Sequence, residues 1–167
     1  MSPSGLIENA QLCENSRVIV HGTIGMWHDR CSIYDPDLPM AGLENQKRAF
    51  RGGIVIALPG LSQSLRSCGR MTYGGLGQVR QAVVIAHLRR CEVDHFLWKL
   101  DDLESVSLME DLNAVGLPSP MVITPEYVQE RAKWNLANLE ADLREYSSPG
   151  YDVDKVLAEK RKSLSSW

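Results

Sequence analysis

Between Asn45 and Cys91 the chain has no acidic residue, against eight lysines and arginines. The flanks are the reverse. Residues 1–44 hold two basic and six acidic residues, residues 92–167 eight and fifteen, and the whole chain carries a net −3. Two readings follow from the missing acid: a basic surface suited to a phosphate-bearing partner, or a basic segment folded against the acidic ends. Charge alone does not choose between them. Long apolar runs are also lacking. None nears the roughly 20 residues that a membrane-spanning helix needs, so no membrane role is expected. The start, Met1-Ser-Pro-Ser-Gly-Leu6, has neither the basic lead nor the apolar segment of an export signal. The four cysteines, Cys13, Cys31, Cys68 and Cys91, show no framework spacing. Reduced thiols in a cytoplasmic setting are the expectation.

What is present is enough for one folded domain. The 167 residues, 44% hydrophobic and 23% charged, have the proportions of a globular protein with a real core. A β-branched run over 17–22 reads as a strand that breaks at His21-Gly22-Thr23. Residues 23–34 read as a turn and a short helix holding Trp27 and Ile33. The prolines of 35–39 exclude a regular element there. Ile54-Val-Ile-Ala-Leu58 is apolar on both faces, which suits a buried central strand. Residues 61–75 read as a loop, 77–90 as helical or partly strand, 92–98 as a strand and 100–115 as a helix. Met121 to Thr124 is a short strand. Thr124-Pro125-Glu126 then supplies a capping hydroxyl, a proline at the first helical position and an acid in the first turn, and predicts a helix to about Tyr146. Ser147-Ser-Pro-Gly150 reads as a linker, and 152–164 as a last charged helix. The division is therefore a domain over 1–146, with a linker and C-terminal helical arm over 147–167 that could meet a protein partner.

Four stretches, in order, resemble one family. His21-Gly22-Thr23 with Trp27, Ile33 and Gly42-Leu43 is similar to the first motif of the ADP-ribosyltransferase fold, most of all in its tRNA 2′-phosphotransferase branch. Ile54-Val-Ile-Ala-Leu-Pro-Gly-Leu61 is similar to that branch's second motif, Leu88-Arg-Arg-Cys-Glu-Val93 to its step into the next strand, and Val122-Ile-Thr-Pro125 to its third core strand. The likeness covers roughly 17–128, the catalytic lobe alone. It implies an α+β fold with a split, mixed β-sheet, flanking helices and an NAD⁺ cleft. It further implies that His21, Gly22, Thr23, Ala57 and Leu58 bind the cofactor and that His21 and Arg89 serve catalysis, with Arg89 meeting phosphate. The activity implied is transfer of ADP-ribose from NAD⁺ to a phosphate or other nucleophile, with RNA or a phosphorylated acceptor held by the basic 45–91 segment. A second reading stands beside it. Ile54 and Ile56 occupy places where the family has histidines, which suits a catalytically degenerate module of that fold acting in structure or in protein or nucleic-acid interaction.

Other constellations have plainer readings. His28, Cys31, Cys91 and His95 are zinc-ligand types, but their spacing is loose, and buried thiols and satisfied histidines are commoner, so no metal is expected. Ser62 and Ser64 after Gly60 read as loop residues rather than as a nucleophile elbow. Gly74-Gly-Leu-Gly77, with Arg70 and Arg80 nearby, could cradle phosphate and is more simply a surface loop. Trp27, Trp98 and Trp134 sit in apolar patterns and are expected in the core.

Overall fold

In the computed structural model, which describes residues 1–36, 43–66, 70–71, 77–92, 96–109 and 121–165, the strand that opens at Arg17 does not stop at Gly22. It runs to Trp27 as β1 (Arg17–Trp27) and turns straight back as β2 (Arg30–Tyr34), antiparallel, with Ile24 opposite Ile33. The expected short helix over 23–34 is therefore a hairpin. Thr23, Ile24 and Ile33 favour extended backbone, and Ile24 and Met26 continue the inward alternation of Val18 and Val20, while the register shift opposite Gly22 and Ile24 is taken up on the neighbouring strand at Gln81, with φ 52°, so that Val79 and Ala82 both face inward.

Helices α1 (Pro3–Glu8) and α2 (Ala10–Cys13) precede the hairpin, and α3 (Leu43–Gly52) follows it. Strand β3 (Ile54–Ile56) is buried at all three positions, as its two-faced apolar pattern implied. The segment read as a loop then contains α4 (Leu61–Arg66), which buries Leu61 and Leu65 one helical turn apart. Two-residue β4 (Arg70–Met71) leads to the long β5 (Gly77–Arg90), and β6 (Trp98–Leu108) replaces the helix expected from residue 100. The Leu103, Val106 and Leu108 spacing fitted a helix, but a bulge at Asp102, with φ 47°, resets the alternation and puts all three inside a strand pair. The turn expected at Pro118 and Pro120 and the loop at 72–76 lie outside the described residues, as do 93–95 of the strand expected over 92–98, whose described part is strand only from Trp98.

One sheet holds the strands in the order β4-β5-β1-β2-β3-β6-β7, where β7 is Met121–Ile123, and β5 also pairs with β6. That pairing closes β5, β1, β2, β3 and β6 into a five-strand barrel. Neighbours are antiparallel except β3 and β6, which run parallel. The α+β class is as expected. The sheet itself is single and closed, where the resemblance implied two halves about a cleft. Inside lie Val20, Ile24, Met26, Ile33, Ile54, Ile56, Val84, Leu88, Leu100 and Val106, each at 0% exposure. Burying such a side chain contributes about 1.5–3 kcal/mol. Leu6, Leu61, Leu65 and Val128 join the same core from the helices.

Helix α5 (Pro125–Tyr146) starts as its sequence dictates: the Thr124 hydroxyl accepts from Tyr127 N–H and Pro125 occupies the first turn. It touches α4 and β6, while α6 (Val153–Ser165) lies along it and seats Leu157. Arg144 ties the two helices by pairing with both Glu140 and Asp154. Trp134 is 56% exposed rather than in the core, with the Arg131 guanidinium 4.6 Å from its ring centre. No described helix is long and apolar enough to cross a membrane.

Candidate functional site

The residues that the family resemblance singled out do not share a cleft. His21 is exposed on the outer side of β1, opposite Val83. Gly22 is covered: a Cβ there would lie 2.6 Å from the Tyr34 carbonyl oxygen and 3.1 Å from Pro3. Thr23 is 3% exposed. Arg89 sits six residues beyond Val83 on β5, roughly 20 Å along the strand at about 3.3 Å per residue. It is bound to Asp102 at 2.5 Å and to Asn15 at 3.3 Å. Ala57 and Leu58 follow β3, and β3 pairs Ile56 with Cys31, so they lie toward the β1–β2 turn, away from His21.

That turn is where the structure gathers chemistry. A cavity of about 350 Å³ is lined by Trp27, His28, Asp29 and Arg30 of the turn, Lys47, Phe50 and Arg51 of α3, and Phe96 just before β6. Its apolar wall is aromatic. Phe50 and Phe96, the two phenylalanines of the chain, meet edge to face at 5.7 Å, and Trp27 lies 6.3 Å from Phe50. Lys47 Nζ stands 5.3 Å from the Trp27 ring centre. Beside it a second cavity, about 470 Å³, is lined by Glu44, Asn45, Lys47, Arg48, Arg51 and Gly52. The two share Lys47 and Arg51, so an aromatic slot opens directly onto a cationic groove.

The barrel fixes this geometry locally. His28 holds a left-handed φ of 54°, strained for a residue with a side chain. Its carbonyl is pinned from α4, accepting from Ser62 Oγ at 2.8 Å and Arg66 at 2.6 Å. Ser62 is thus a buried strut rather than a loop residue. Beneath the turn Cys31 is 2% exposed, and burial pushes its thiol well up, which keeps it protonated and inert as a nucleophile. Among the described residues no three His, Cys, Asp or Glu side chains converge as metal ligands, and His95 lies outside them.

No protein-family model matches this chain, and neither a curated protein nor a solved structure matches it. The site is therefore read on its own chemistry. The cations of the basic middle third divide into two groups. Arg89 and Arg90 are folded against acids at Asp101, Asp102 and Glu14, and Arg66 is committed to the His28 carbonyl. Lys47, Arg48 and Arg51 stand together on α3, with Glu44 the acid that pairs with Lys47. Sequence reasoning placed Trp27 in the core and passed over Phe50 and Phe96. The available signal was the run Lys47-Arg48-Ala49-Phe50-Arg51, cations spaced about an aromatic on one short helix.

Proposed function

We propose that this protein is a nucleic-acid-binding module in which a five-strand barrel holds an unpaired nucleotide at the end formed by the β1–β2 turn, α3 and the segment before β6. The observation that carries the reading is the aromatic slot of Trp27, Phe50 and Phe96 opening onto the Lys47, Arg48 and Arg51 groove. A base has a π-face for an aromatic wall, and its phosphates need cations a few ångströms away. Those are the two requirements of single-strand recognition. The barrel supports the same reading. Counting the closed strands in chain order, the first pairs with the second and fourth, the third runs parallel to the fifth, and a helix joins third to fourth. That is the connectivity of the OB type of barrel, which binds oligonucleotides with the loops between its first and second and its fourth and fifth strands. Trp27 and His28 belong to the first of those connections, and Phe96 to the second.

The NAD⁺-dependent transferase reading, with its split sheet of ADP-ribosyltransferase type, rests on the motif resemblance alone. Its residues stand apart in the barrel, and Gly22 is covered. Calorimetric titration separates the two readings. Single-stranded oligonucleotides of about ten residues should bind the wild type, and Trp27→Ala should lose them. Binding of NAD⁺ that His21→Ala abolishes, with no oligonucleotide bound, would reverse the order.

A further inference from the structure

Two polar atoms behind the aromatic slot have no hydrogen-bond partner among the described residues: Tyr34 Oη and Gln78 Oε1. Both residues are more than nine-tenths buried, at 2% and 7% exposure. Both residues border one position, Gly25. Gln78 is the direct cross-strand partner of Gly25 and so stands on the same face of the sheet. A Cβ at Gly25 would lie 2.8 Å from Tyr34 Cε1, 3.3 Å from Tyr34 Oη and 3.1 Å from Phe50 Cδ2. The absent side chain is what lets Tyr34 reach across from β2 and Phe50 come down from α3. Phe50 also lines the slot, between Trp27 and Phe96. Its ring therefore stands between the open aromatic cavity and the Gly25 position that Tyr34 covers.

Buried polar atoms without partners are destabilising, and two at one place call for an explanation. We propose that Tyr34 and Gln78 are specificity-determining residues of the slot: as a base enters, the Phe50 ring turns aside, and the edge of the base gives an N–H to Gln78 Oε1 and an acceptor to the Tyr34 hydroxyl. This rests on the nucleic-acid reading above and adds to it the means of telling bases apart. The ligand is an unpaired nucleobase with a donor and an acceptor side by side on its edge. In a duplex the pairing edge is occupied by the opposite strand, so the same contact selects single strands. Burial keeps the Tyr34 hydroxyl protonated through the physiological range, and it remains a donor there.

The test measures wild type, Tyr34→Phe and Gln78→Met against four single-stranded homo-oligonucleotides, one per base, by fluorescence anisotropy. Wild type should favour one of the four by about tenfold or more, the range of a two-bond base contact. Each variant should reduce that preference to less than about threefold. Thermal midpoints are read alongside. Because the lost hydroxyl has no partner in the free protein, Tyr34→Phe should melt at or above the wild-type temperature. Binding without base preference, or a preference that survives both substitutions, overturns the proposal and leaves the nucleic-acid reading standing. A midpoint lowered by more than about 3 °C in Tyr34→Phe also overturns it, because the hydroxyl then has a partner. Binding of none of the four overturns the parent reading and this one with it.

Discussion

Lys47 Nζ stands 5.3 Å from the centre of the Trp27 ring, the distance of a cation–π contact, and the same lysine pairs with Glu44 at 3.0 Å. One cation thus covers the aromatic face at the mouth of the slot while it borders the cationic groove. A stacked base and Lys47 compete for that face, and the displaced lysine is already placed to meet the phosphate of the incoming nucleotide. Trp27→Ala should weaken single-strand binding by about tenfold or more, as stacking is worth about 1–3 kcal/mol per base. Trp27→Phe should keep most of the affinity. Anisotropy titrations on both variants check this, and equal affinity for wild type and Trp27→Ala would remove Trp27 from the site.

The groove makes a separate electrostatic prediction. Each lysine or arginine that neutralises a phosphate releases counterions, so the logarithm of the affinity falls linearly with the logarithm of salt concentration. Replacing Arg48 or Arg51 by glutamine should reduce that slope by about 1 each and weaken all sequences alike. Arg66→Gln should act differently. Its guanidinium holds the His28 carbonyl at 2.6 Å, so its loss should loosen the turn without changing the slope. Titrations at several salt concentrations distinguish the two behaviours.

Gly25 tests the packing behind the slot. Its position inside β1 leaves room for nothing: Tyr34 and Phe50 both lie closer to a Cβ than contact distance allows. Gly25→Ala should destabilise the barrel by about 1–3 kcal/mol through overpacking. Gly52→Ala at the end of α3 meets nothing within 4 Å and should leave stability unchanged or slightly raised. Urea denaturation of both variants measures the difference.

The pH dependence has a definite sign at the alkaline end. Burial pushes the Tyr34 hydroxyl up to about 12, with the Arg80 charge opposing. In the unfolded chain it ionises near its ordinary value of about 10. Between these two values the unfolded state sheds a proton that the folded state keeps, so stability falls as pH rises. The contribution is whole below pH 10 and is lost by about pH 12. Tyr34→Phe should remove this part of the alkaline loss, by at most about 1.4 kcal/mol per pH unit across the window. Chemical denaturation at a series of pH values, wild type beside Tyr34→Phe, shows whether the wild-type curve falls away from that of the variant there.

The sequence spoke most clearly where local rules act alone. Thr124 and Pro125 set the start of α5, and the apolar run Ile54-Val-Ile56 marked a strand buried on both faces. It misled where tertiary pairing overrides local pattern. Val79, Val83, Val84 and Leu88 suited either period, and β5 became a strand because β1 and β6 flank it on both sides. Leu103, Val106 and Leu108 imitated helical spacing because of a bulge that no local signal announces. Half of the candidate site was visible in the same sense. The basic middle third was plain, but its division into groove cations on α3 and surface ion pairs on β5 depends on which element each residue rides. Trp27, Phe50 and Phe96 are separated by dozens of residues, and the closure of the barrel is what brings them together. The motif around His21 carried a family likeness whose residues the barrel spreads along different strands.

The measurement that bears most directly on the account is anisotropy titration of a labelled ten-residue single strand and of the duplex of the same sequence, at low and at physiological salt. The account predicts saturable binding of the single strand, weakened by salt, lost in Trp27→Ala, and tighter than binding of the duplex. Equal affinity for strand and duplex, or strand binding that Trp27→Ala retains, would contradict it and leave the slot without the role assigned to it.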